Sequence, residues 1–253
     1  MGSSDAGNVV ALKESQRRGF MNRNMIKYLV IVFMVMDHIA DCFGGYMPGL
    51  TYNSLRFFGR LVAPTMAFFI AEGYMHTRDV KKYRRRIGIL ALISWLPCIF
   101  CFMGIEVIKK APYLLVAQSI IASFYLGLVA LSVWYSDKFK KGMKIFFIVL
   151  LCIASIITDM PVVGVLAPLF HVTFKDHRVK RYIAVAIPYI FFFSLMCTSS
   201  WWYCLGLFLT PLLLIFCYNG ESGRKSAFHK WFFYVFYPSH LVILGIIKWF
   251  IVK

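Results

Sequence analysis

Charged residues are scarce in this sequence, and acidic residues are the scarcest. Only 15% of the 253 residues are charged, against about 25% in a typical soluble domain. The chain has 28 Lys and Arg but only 11 Asp and Glu, while 60% of its residues are hydrophobic. This composition excludes a disordered chain, a disulfide-rich secreted module and most soluble enzymes. The formal net charge of +17 would suggest nucleic acid in a soluble protein, but these charges lie in short gaps between long apolar runs, so we expect no nucleic-acid partner.

Metal and nucleotide motifs are also lacking. No His and Cys spacing resembles a zinc site, and no Walker, Rossmann or G-x-S-x-G pattern occurs, so we expect no metal. The seven cysteines are scattered in or beside the apolar runs, which does not suit a disulfide framework. Cys98 and Cys101 form a C-x-x-C without the βαβ context of a thioredoxin-like protein. We therefore interpret the cysteines as small buried apolar residues.

Long apolar runs dominate what is present. A helix that crosses a bilayer needs about 20 mostly apolar residues, and the sequence holds nine candidates, of which the fifth and sixth are short. We predict an all-α, polytopic integral membrane bundle with about nine transmembrane helices, surrounded by the lipid bilayer. Asp159, Pro161 and Gly164 separate the two short runs. The candidate spans are 26–43, 57–75, 87–103, 114–134, 143–158, 161–174, 182–197, 201–218 and 231–251.

The basic residues predict the orientation of this bundle. Lys and Arg prefer the cytoplasmic side of a membrane, and a cytoplasmic N-terminus places most of the 28 basic residues inside. Residues 1–24 lack apolar periodicity, so we predict a flexible cytoplasmic N-terminal tail there. A single transmembrane domain is expected over 25–253. A homo-oligomer is compatible with the sequence.

Ionisable residues in the first span are candidates for function, because charge is costly inside a bilayer. Asp37, His38 and Asp41 share a sector of about 100° on the helix, roughly two-thirds of the way across from its cytoplasmic end. His38 and Asp41 are three residues apart and can contact each other. Such a carboxylate contact would orient the imidazole and raise its basicity. A polar cluster that only holds helices together is the alternative.

The second span supplies positive charge at a similar depth. Arg56 and Arg60 are i, i+4 neighbours near its outer end. Arg60, the deeper of the two, can neutralise Asp37 or Asp41, or stabilise a developing oxyanion. Arg56 either supports the same site or extends to the outer interface. Pro64 is expected to kink this span.

Three further groups stand out. Glu72 lies near the inner interface and is followed by His76 and by six basic residues within 78–86. This basic cluster is interpreted either as a topological signal in contact with anionic lipid or as a site for an anionic cytoplasmic ligand, such as a nucleotide phosphate. His240 lies inside the last span beside Pro238, where a packing role and a pathway role are both open.

Several short motifs, in consistent order over residues 26–97, resemble those of the TraX family. The rest of the chain resembles the family in hydropathy and in the Tyr-Pro-x-His of the last helix, a motif that is also similar to those of related membrane acyltransferases. The motifs are Asp37-His38, Leu55-Arg56-x-x-Gly59-Arg60-Leu61-x-x-Pro64, Ala71-Glu72-Gly73-Tyr74-x-His76-Thr77-Arg78, Tyr83-x-x-Arg86 and Ile93-Ser94-Trp95-Leu96-Pro97.

This resemblance implies an acyl-CoA-dependent acyltransferase, with N-acetyl transfer as the first expectation, in the bacterial cytoplasmic membrane. TraX proteins are associated with N-acetylation of the F-pilin subunit. Related transmembrane acyltransferases move acetyl groups from cytoplasmic acetyl-CoA to acceptors at or beyond the membrane. His38 is then expected to act as general base or as a transient acyl carrier, with Asp37 or Asp41 steadying it and Arg60 at the oxyanion.

The resemblance and the depth of each residue together give a full set of expected roles. The catalytic residues are His38, Asp37 and Arg60. Supporting roles are assigned to Asp41, Arg56, Glu72 and His240. Acetyl-CoA, as co-substrate, is expected to be bound by His76, Arg78, Lys82, Tyr83, Arg85 and Arg86.

Two other classes of function use the same residues. A proton-coupled transporter or flippase would employ the buried Asp, His and Arg as a proton relay, and a helix break near 159–164 suits a transporter as well. A non-catalytic membrane assembly factor is the third reading. For the acetyltransferase, the acceptor can be an amine or a hydroxyl, on a peptide N-terminus such as that of a pilin, on an envelope glycan or on a small secreted molecule.

Overall fold

The computed structural model describes residues 19–111, 113, 115, 117–196, 201–224 and 226–252. Across these residues the chain is helical, and extended pairing is confined to two isolated bridges, Met21 with Tyr218 and Gln118 with Thr158. The predicted all-α class is therefore confirmed.

The helices follow most of the apolar runs of the sequence, but within 114–134 the α-helix begins at Ile120, and 201–218 is divided into three short helical segments. In chain order the α-helices are α1 (Arg23–Phe43), α2 (Gly49–Gly59), α3 (Val62–His76), α4 (Val80–Phe102), α5 (Ile105–Lys110), α6 (Ile120–Trp134), α7 (Lys141–Ala154), α8 (Val163–Thr173), α9 (Arg178–Ala184), α10 (Ile187–Met196), α11 (Leu209–Leu212) and α12 (Ala227–Ile246). Short 3₁₀ or π-helical segments cover Gly44–Tyr46, Ser155–Ile157, Trp201–Phe208, Leu213–Cys217 and Ile247–Ile251.

Three helical segments of the described chain are long and apolar enough to cross a membrane. They are Gly49–His76, which includes the turn between α2 and α3, Val80–Phe102 and Ala227–Ile251. Shorter apolar helices cover Ile120–Trp134, Val163–Thr173 and Cys204–Cys217. With 21 residues α1 is also long enough for a crossing, which needs about 20, but its charged side chains set it apart from this group.

Large apolar side chains face outward on these helices. On α4, Leu92, Ile93 and Leu96 are all more than half exposed, and on α12 the same holds for Val235 and Ile243. Soluble monomers rarely expose extended apolar surfaces, whereas a bilayer requires them. The outward apolar surface and the ionisable interior are those of a membrane protein.

The part of the predicted tail that the structure describes is held against the bundle. Residues 1–18 lie outside the described residues. The Met21 amide donates a hydrogen bond to the Cys217 carbonyl at 2.8 Å, and the Asn219 amide donates to the Met21 carbonyl at 3.0 Å. Asn22 then caps α1, which begins at Arg23, because its side-chain oxygen accepts from the Met25 amide at 3.1 Å.

A break between α2 and α3 helps to position the site. Proline has no amide hydrogen, and its ring clashes with the carbonyl four residues earlier. Pro64 therefore ends the preceding helix at the turn of Arg60 and Leu61, and α3 restarts at Val62. The Thr65 hydroxyl donates to the Leu61 carbonyl at 2.7 Å. The kink predicted at Pro64 is thus a complete restart one turn earlier, which allows α2 and α3 to take separate directions.

Candidate active site

Two large cavities lie in series along α1. The first, here the basic cavity, has a volume of about 620 Å³ and begins at the N-terminal end of α1, with Arg23 and Lys27 in its wall. It continues along an apolar wall to Met34 and Tyr237. The second, here the histidine cavity, has a volume of about 600 Å³ and lies at the C-terminal end of α1, around His38.

A small cavity of about 60 Å³ lies between them. It shares Met34 and Tyr237 with the basic cavity, and it shares His38, Arg60 and Tyr237 with the histidine cavity. Its volume accommodates only a few non-hydrogen atoms. His38 therefore stands where two large cavities approach each other.

His38 is paired with the other histidine that was singled out in the sequence. Nδ1 of His38 lies 2.8 Å from Nε2 of His240, and the two rings are within 3° of coplanar. Nδ1 of His240 lies 3.0 Å from the carbonyl oxygen of Phe236, one turn earlier on α12. Phe102 contacts the His38 ring edge-on, with centroids 5.4 Å apart.

This chain of contacts fixes the tautomers of both rings. A carbonyl oxygen can only accept, so Nδ1 of a neutral His240 carries the hydrogen and donates to Phe236. Nε2 of His240 is then the acceptor, and Nδ1 of His38 donates to it. Nε2 of His38 is left with a free lone pair, which is the form that a general base or nucleophile requires.

The carboxylates beside His38 make other contacts than the sequence suggested. Nη1 of Arg56 lies 3.1 Å from Oδ1 of Asp37 and 3.4 Å from Oδ1 of Asp41. The imidazole contact expected of Asp37 or Asp41 is made by His240 instead. The countercharge expected of Arg60 is supplied by Arg56, because α2 turns the Arg56 side chain toward α1 and not outward to the interface.

Arg60 lies deeper and is almost completely buried, with 8% of its surface exposed. Its guanidinium lies over the ring of Phe193, 4.7 Å from the centroid. It lines the small cavity together with His38. A fixed cation beside the base of a reaction centre is suited to stabilise a developing oxyanion.

Two residues of this site were not assigned to it from the sequence. Tyr237 and Asp159 both line the histidine cavity and the small cavity. From the sequence, Asp159 belongs to a helix break and either binds nothing or lines an outer vestibule. The Tyr237-Pro238-x-His240 motif is the one available signal for Tyr237. Within the described residues, no group of His, Cys, Asp and Glu is arranged to hold a metal ion.

Most of the residues predicted to bind acetyl-CoA do not line the two large cavities or the small cavity between them. Of them, Tyr83 lines the basic cavity. Asp79 caps α4 and accepts from the Lys82 amide at 2.8 Å. That hydrogen bond holds the pKa of Asp79 below its usual value, so part of the 78–86 segment has a structural role. The residues that the structure places outside the wall of the basic cavity are His76, Arg78, Lys82, Arg85 and Arg86.

A different basic group surrounds the mouth of the basic cavity. Arg23, Lys27, Arg224 and His229 all line it. Lys27 lies over the ring of Phe233, 5.2 Å from the centroid. These four come from α1, α12 and the segment before α12, so their proximity depends on packing. Among them, His229 lies in the first turn of α12 and was not assigned to a site from the sequence.

Glu72 forms a separate ionic cluster at the N-terminal end of α1. Its side chain is 4% exposed and lies 3.5 Å from Nη2 of Arg23, 3.2 Å from Nε2 of His171 and 3.3 Å from Nη1 of Arg181. These contacts connect α1, α3, α8 and α9. Glu72 therefore holds the helix ends together and does not contact His38.

The chain matches the family model described as TraX protein over residues 22–248. This chain belongs to the TraX family. A relative from Dichelobacter nodosus, "Probable fimbrial assembly protein FimC, serogroup H1", is 28% identical over 252 residues, which covers 91% of this chain and 100% of the relative. No solved structure matches the chain.

The extent of the TraX match includes the whole site. It begins next to Arg23, where α1 starts, and it ends within the last helical segment, beyond His240. The resemblance to the TraX family, seen in residues 26–97 and in the motif that contains His240, is thus confirmed, and the match spans the residues that line both large cavities.

Proposed function

We propose that this TraX-family protein is a membrane-embedded acetyltransferase that moves an acetyl group from acetyl-CoA to an amine or hydroxyl acceptor. The observation that carries the proposal is the position of His38, which lies where two large cavities approach each other and whose Nδ1 is held by His240, leaving Nε2 available as a base. One cavity has a basic mouth and an apolar interior, and the other is lined by charged groups. A group transfer between two substrates requires that the donor and the acceptor each reach the same base by a route of their own.

We infer a topology of about nine crossings with a cytoplasmic N-terminus, in the bacterial cytoplasmic membrane. The excess of Lys and Arg in the predicted inner segments supports this orientation. In it, the mouth of the basic cavity faces the cytoplasm, where acetyl-CoA is available. The histidine cavity then lies toward the outer side, where an acceptor such as a pilin N-terminus or an envelope molecule is reached.

The basic cavity suits acetyl-CoA as the acetyl donor. Arg23, Lys27 and Arg224 provide positive charge for the phosphates, and the apolar wall beyond them suits the pantetheine arm. From Lys27 to His38 the rise along α1 is about 16 Å, a span for an extended arm and not for the nucleotide. We therefore propose the basic cavity, and not the 78–86 cluster expected from the sequence, as the acetyl-CoA site. Tyr83 belongs to both groups of residues.

His38 is the proposed general base. Its Nε2 takes the proton from the acceptor as the acceptor attacks the thioester carbonyl. Arg60 stabilises the oxyanion of the tetrahedral intermediate. The imidazolium then returns the proton to the leaving thiolate of CoA. His240 accepts from Nδ1 of His38 throughout, which stabilises the charged ring and keeps Nε2 directed to the reaction. A covalent acetyl-His38 is the alternative course, and ping-pong kinetics would identify it.

The test is acetyl transfer by the purified protein in lipid nanodiscs supplied with labelled acetyl-CoA and an envelope extract as the source of acceptors. The wild type is expected to label an acceptor, and His38→Ala is expected to lose about 100-fold or more in rate, the size of a general-base contribution. His177→Ala, in an inner loop, is the matched control. Full activity in His38→Ala would refute the mechanism. A wild type that moves protons across vesicles without transferring acetyl groups would support the transporter.

A further inference from the structure

Asp159 differs from the other carboxylates of the histidine cavity. Three carboxylates and two guanidiniums line that cavity. Asp37 and Asp41 both pair with Arg56, at 3.1 and 3.4 Å. In the described part of the chain, no ion pair is formed by Asp159. The histidine cavity therefore has one acidic group more than its fixed cations balance.

The position of Asp159 brings this extra charge to the reaction centre. Asp159, His38 and Arg60 all line the small cavity, and apolar Met160 and Phe193 form other parts of its wall. A carboxylate beside apolar groups is costly unless a cation or a hydrogen-bond donor compensates it. Arg60, in the same wall, compensates part of this charge, and a ligand that carries a positive charge would supply the remainder next to Nε2 of His38.

The loop that carries Asp159 is held rigidly. The Asp159 amide donates to the Gln118 carbonyl at 3.0 Å, and the Gln118 amide donates to the Ile157 carbonyl at 2.8 Å. The Ser123 hydroxyl donates to Thr158 at 2.7 Å. The backbone that carries the carboxylate is therefore fixed before substrate arrives, which favours a preorganised site.

The backbone after Asp159 is also constrained. Val162 has a φ of 62°, a conformation that β-branched residues rarely adopt. Its amide donates to the Ser155 hydroxyl at 2.8 Å, which holds it there. Strained backbone that the surroundings maintain is typical of functional sites.

We propose that Asp159 binds the ammonium group of the acceptor and thereby selects amines over hydroxyls, an inference that rests on the proposed acetyl transfer. The acceptor arrives as R–NH3+ with its nitrogen between Asp159 and His38. One proton passes to Nε2 of His38, and the amine attacks the thioester carbon. The C–S bond breaks as the amide C–N bond forms, and the thiolate receives the proton from His38. The second nitrogen proton leaves to water, so the products are the acetamide, CoA–SH and one proton.

A kinetic comparison of variants tests this role. The probe is a short apolar peptide with a free N-terminal amine, with acetyl-CoA saturating and the full-length protein in nanodiscs. Asp159→Asn is expected to raise the KM for the peptide about tenfold or more and to change kcat less than about threefold, because it removes a charge-assisted contact to the substrate. Asp159→Glu is expected to recover part of the affinity. Asp137→Asn, an exposed acid outside the site, is the matched control.

A second measurement uses the wild type alone, so it does not depend on the folding of a variant. The same peptide with a trimethylated N-terminus cannot be acetylated but keeps its positive charge, so it is expected to inhibit competitively against the free amine. The peptide with an N-terminal hydroxyl is expected to be neither a good substrate nor an inhibitor. A hydroxyl peptide that is acetylated as well as the amine, or an unchanged KM in Asp159→Asn, would overturn the role of Asp159 while leaving acetyl transfer intact. A wild type that acetylates neither peptide nor any component of an envelope extract would instead refute the proposed function.

Discussion

At the scale of single residues, the candidate site is determined by the contacts among polar groups inside an apolar helical bundle. His38 finds its partner in His240, 202 positions away, while the carboxylates on its own helix are held by Arg56. A neutral partner for the imidazole adds no charge to the interior. It still fixes the tautomer, because His240 is itself fixed by a backbone carbonyl. The proposed general base is thus oriented by a hydrogen-bond chain and not by an ion pair.

The role of His240 can be tested with a change that keeps its packing. Phenylalanine retains the ring that stacks on Phe236 at 5.2 Å but removes the acceptor for Nδ1 of His38. We expect His240→Phe to lower kcat about 100-fold, within the range of a general-base contribution, with little change in the KM for acetyl-CoA. Steady-state rates in nanodiscs measure this. His240→Gln, whose amide oxygen can accept the same hydrogen bond, is expected to retain more activity, and equal losses in both variants would argue against the tautomer role.

At the scale of helices, the site depends on a close approach of α1 and α2. Gly59, the last residue of α2, lies directly against the side chain of Asp37, so a Cβ at this position would clash with that carboxylate. The helix break after Gly59, imposed by Pro64, sets the direction of α2. Together these features bring Arg56 within reach of Asp37 and Asp41. A glycine is needed at this position because the backbone of α2 lies directly against the Asp37 side chain, and not because the backbone adopts an unusual conformation.

Alanine substitutions in one helix test this close approach. We expect Gly59→Ala to reduce the free energy of unfolding by about 1–3 kcal/mol, as overpacking of an interior does, and to lower activity by displacing Asp37. Thermal unfolding in detergent measures the first effect. Gly49→Ala, at the start of the same helix, meets open space and is expected to be neutral or slightly stabilising. Equal stabilities of the two variants would contradict the packing described.

At the scale of the whole molecule, α1 connects two environments. The first turns of α1 line the basic cavity, whose wall is apolar beyond its basic residues. The last turns line the histidine cavity, which contains several charged groups, and the small cavity lies between the two. At the first end, the cluster around Glu72 connects four helices and stabilises the mouth of the basic cavity through Arg23. This arrangement would give the two substrates of the proposed transfer reaction different routes to His38.

Charge reversal distinguishes the two candidate donor sites. We expect Arg224→Glu, at the mouth of the basic cavity, to weaken CoA binding about tenfold or more, since it removes a charge-assisted contact to phosphate. Arg85→Glu, an equally exposed arginine outside that cavity, is the matched control and is expected to bind CoA normally. Calorimetry or fluorescence titration of the nanodisc-embedded protein gives both affinities. The reverse result would return the donor to the 78–86 cluster.

The sequence by itself determined the helical class, the positions of most helices, the break near Asp159 and the place of Asp37 and His38 toward the end of the first helix. It could do so because hydrophobic run length and helical periodicity are local properties of the chain. It also contained enough motif to identify the TraX family. Those features do not depend on how one helix packs against another.

Only the tertiary structure determined which side chains contact each other. The pairing of His38 with His240, the capture of both carboxylates by Arg56, the entry of Asp159 into the site and the basic mouth formed with Arg224 all join distant parts of the chain. Each depends on helix rotation and on close approaches such as that at Gly59, where a shift of a few ångströms would exchange one partner for another. A one-dimensional pattern gives the depth and face of a side chain, but the partner across the interface follows from three-dimensional packing.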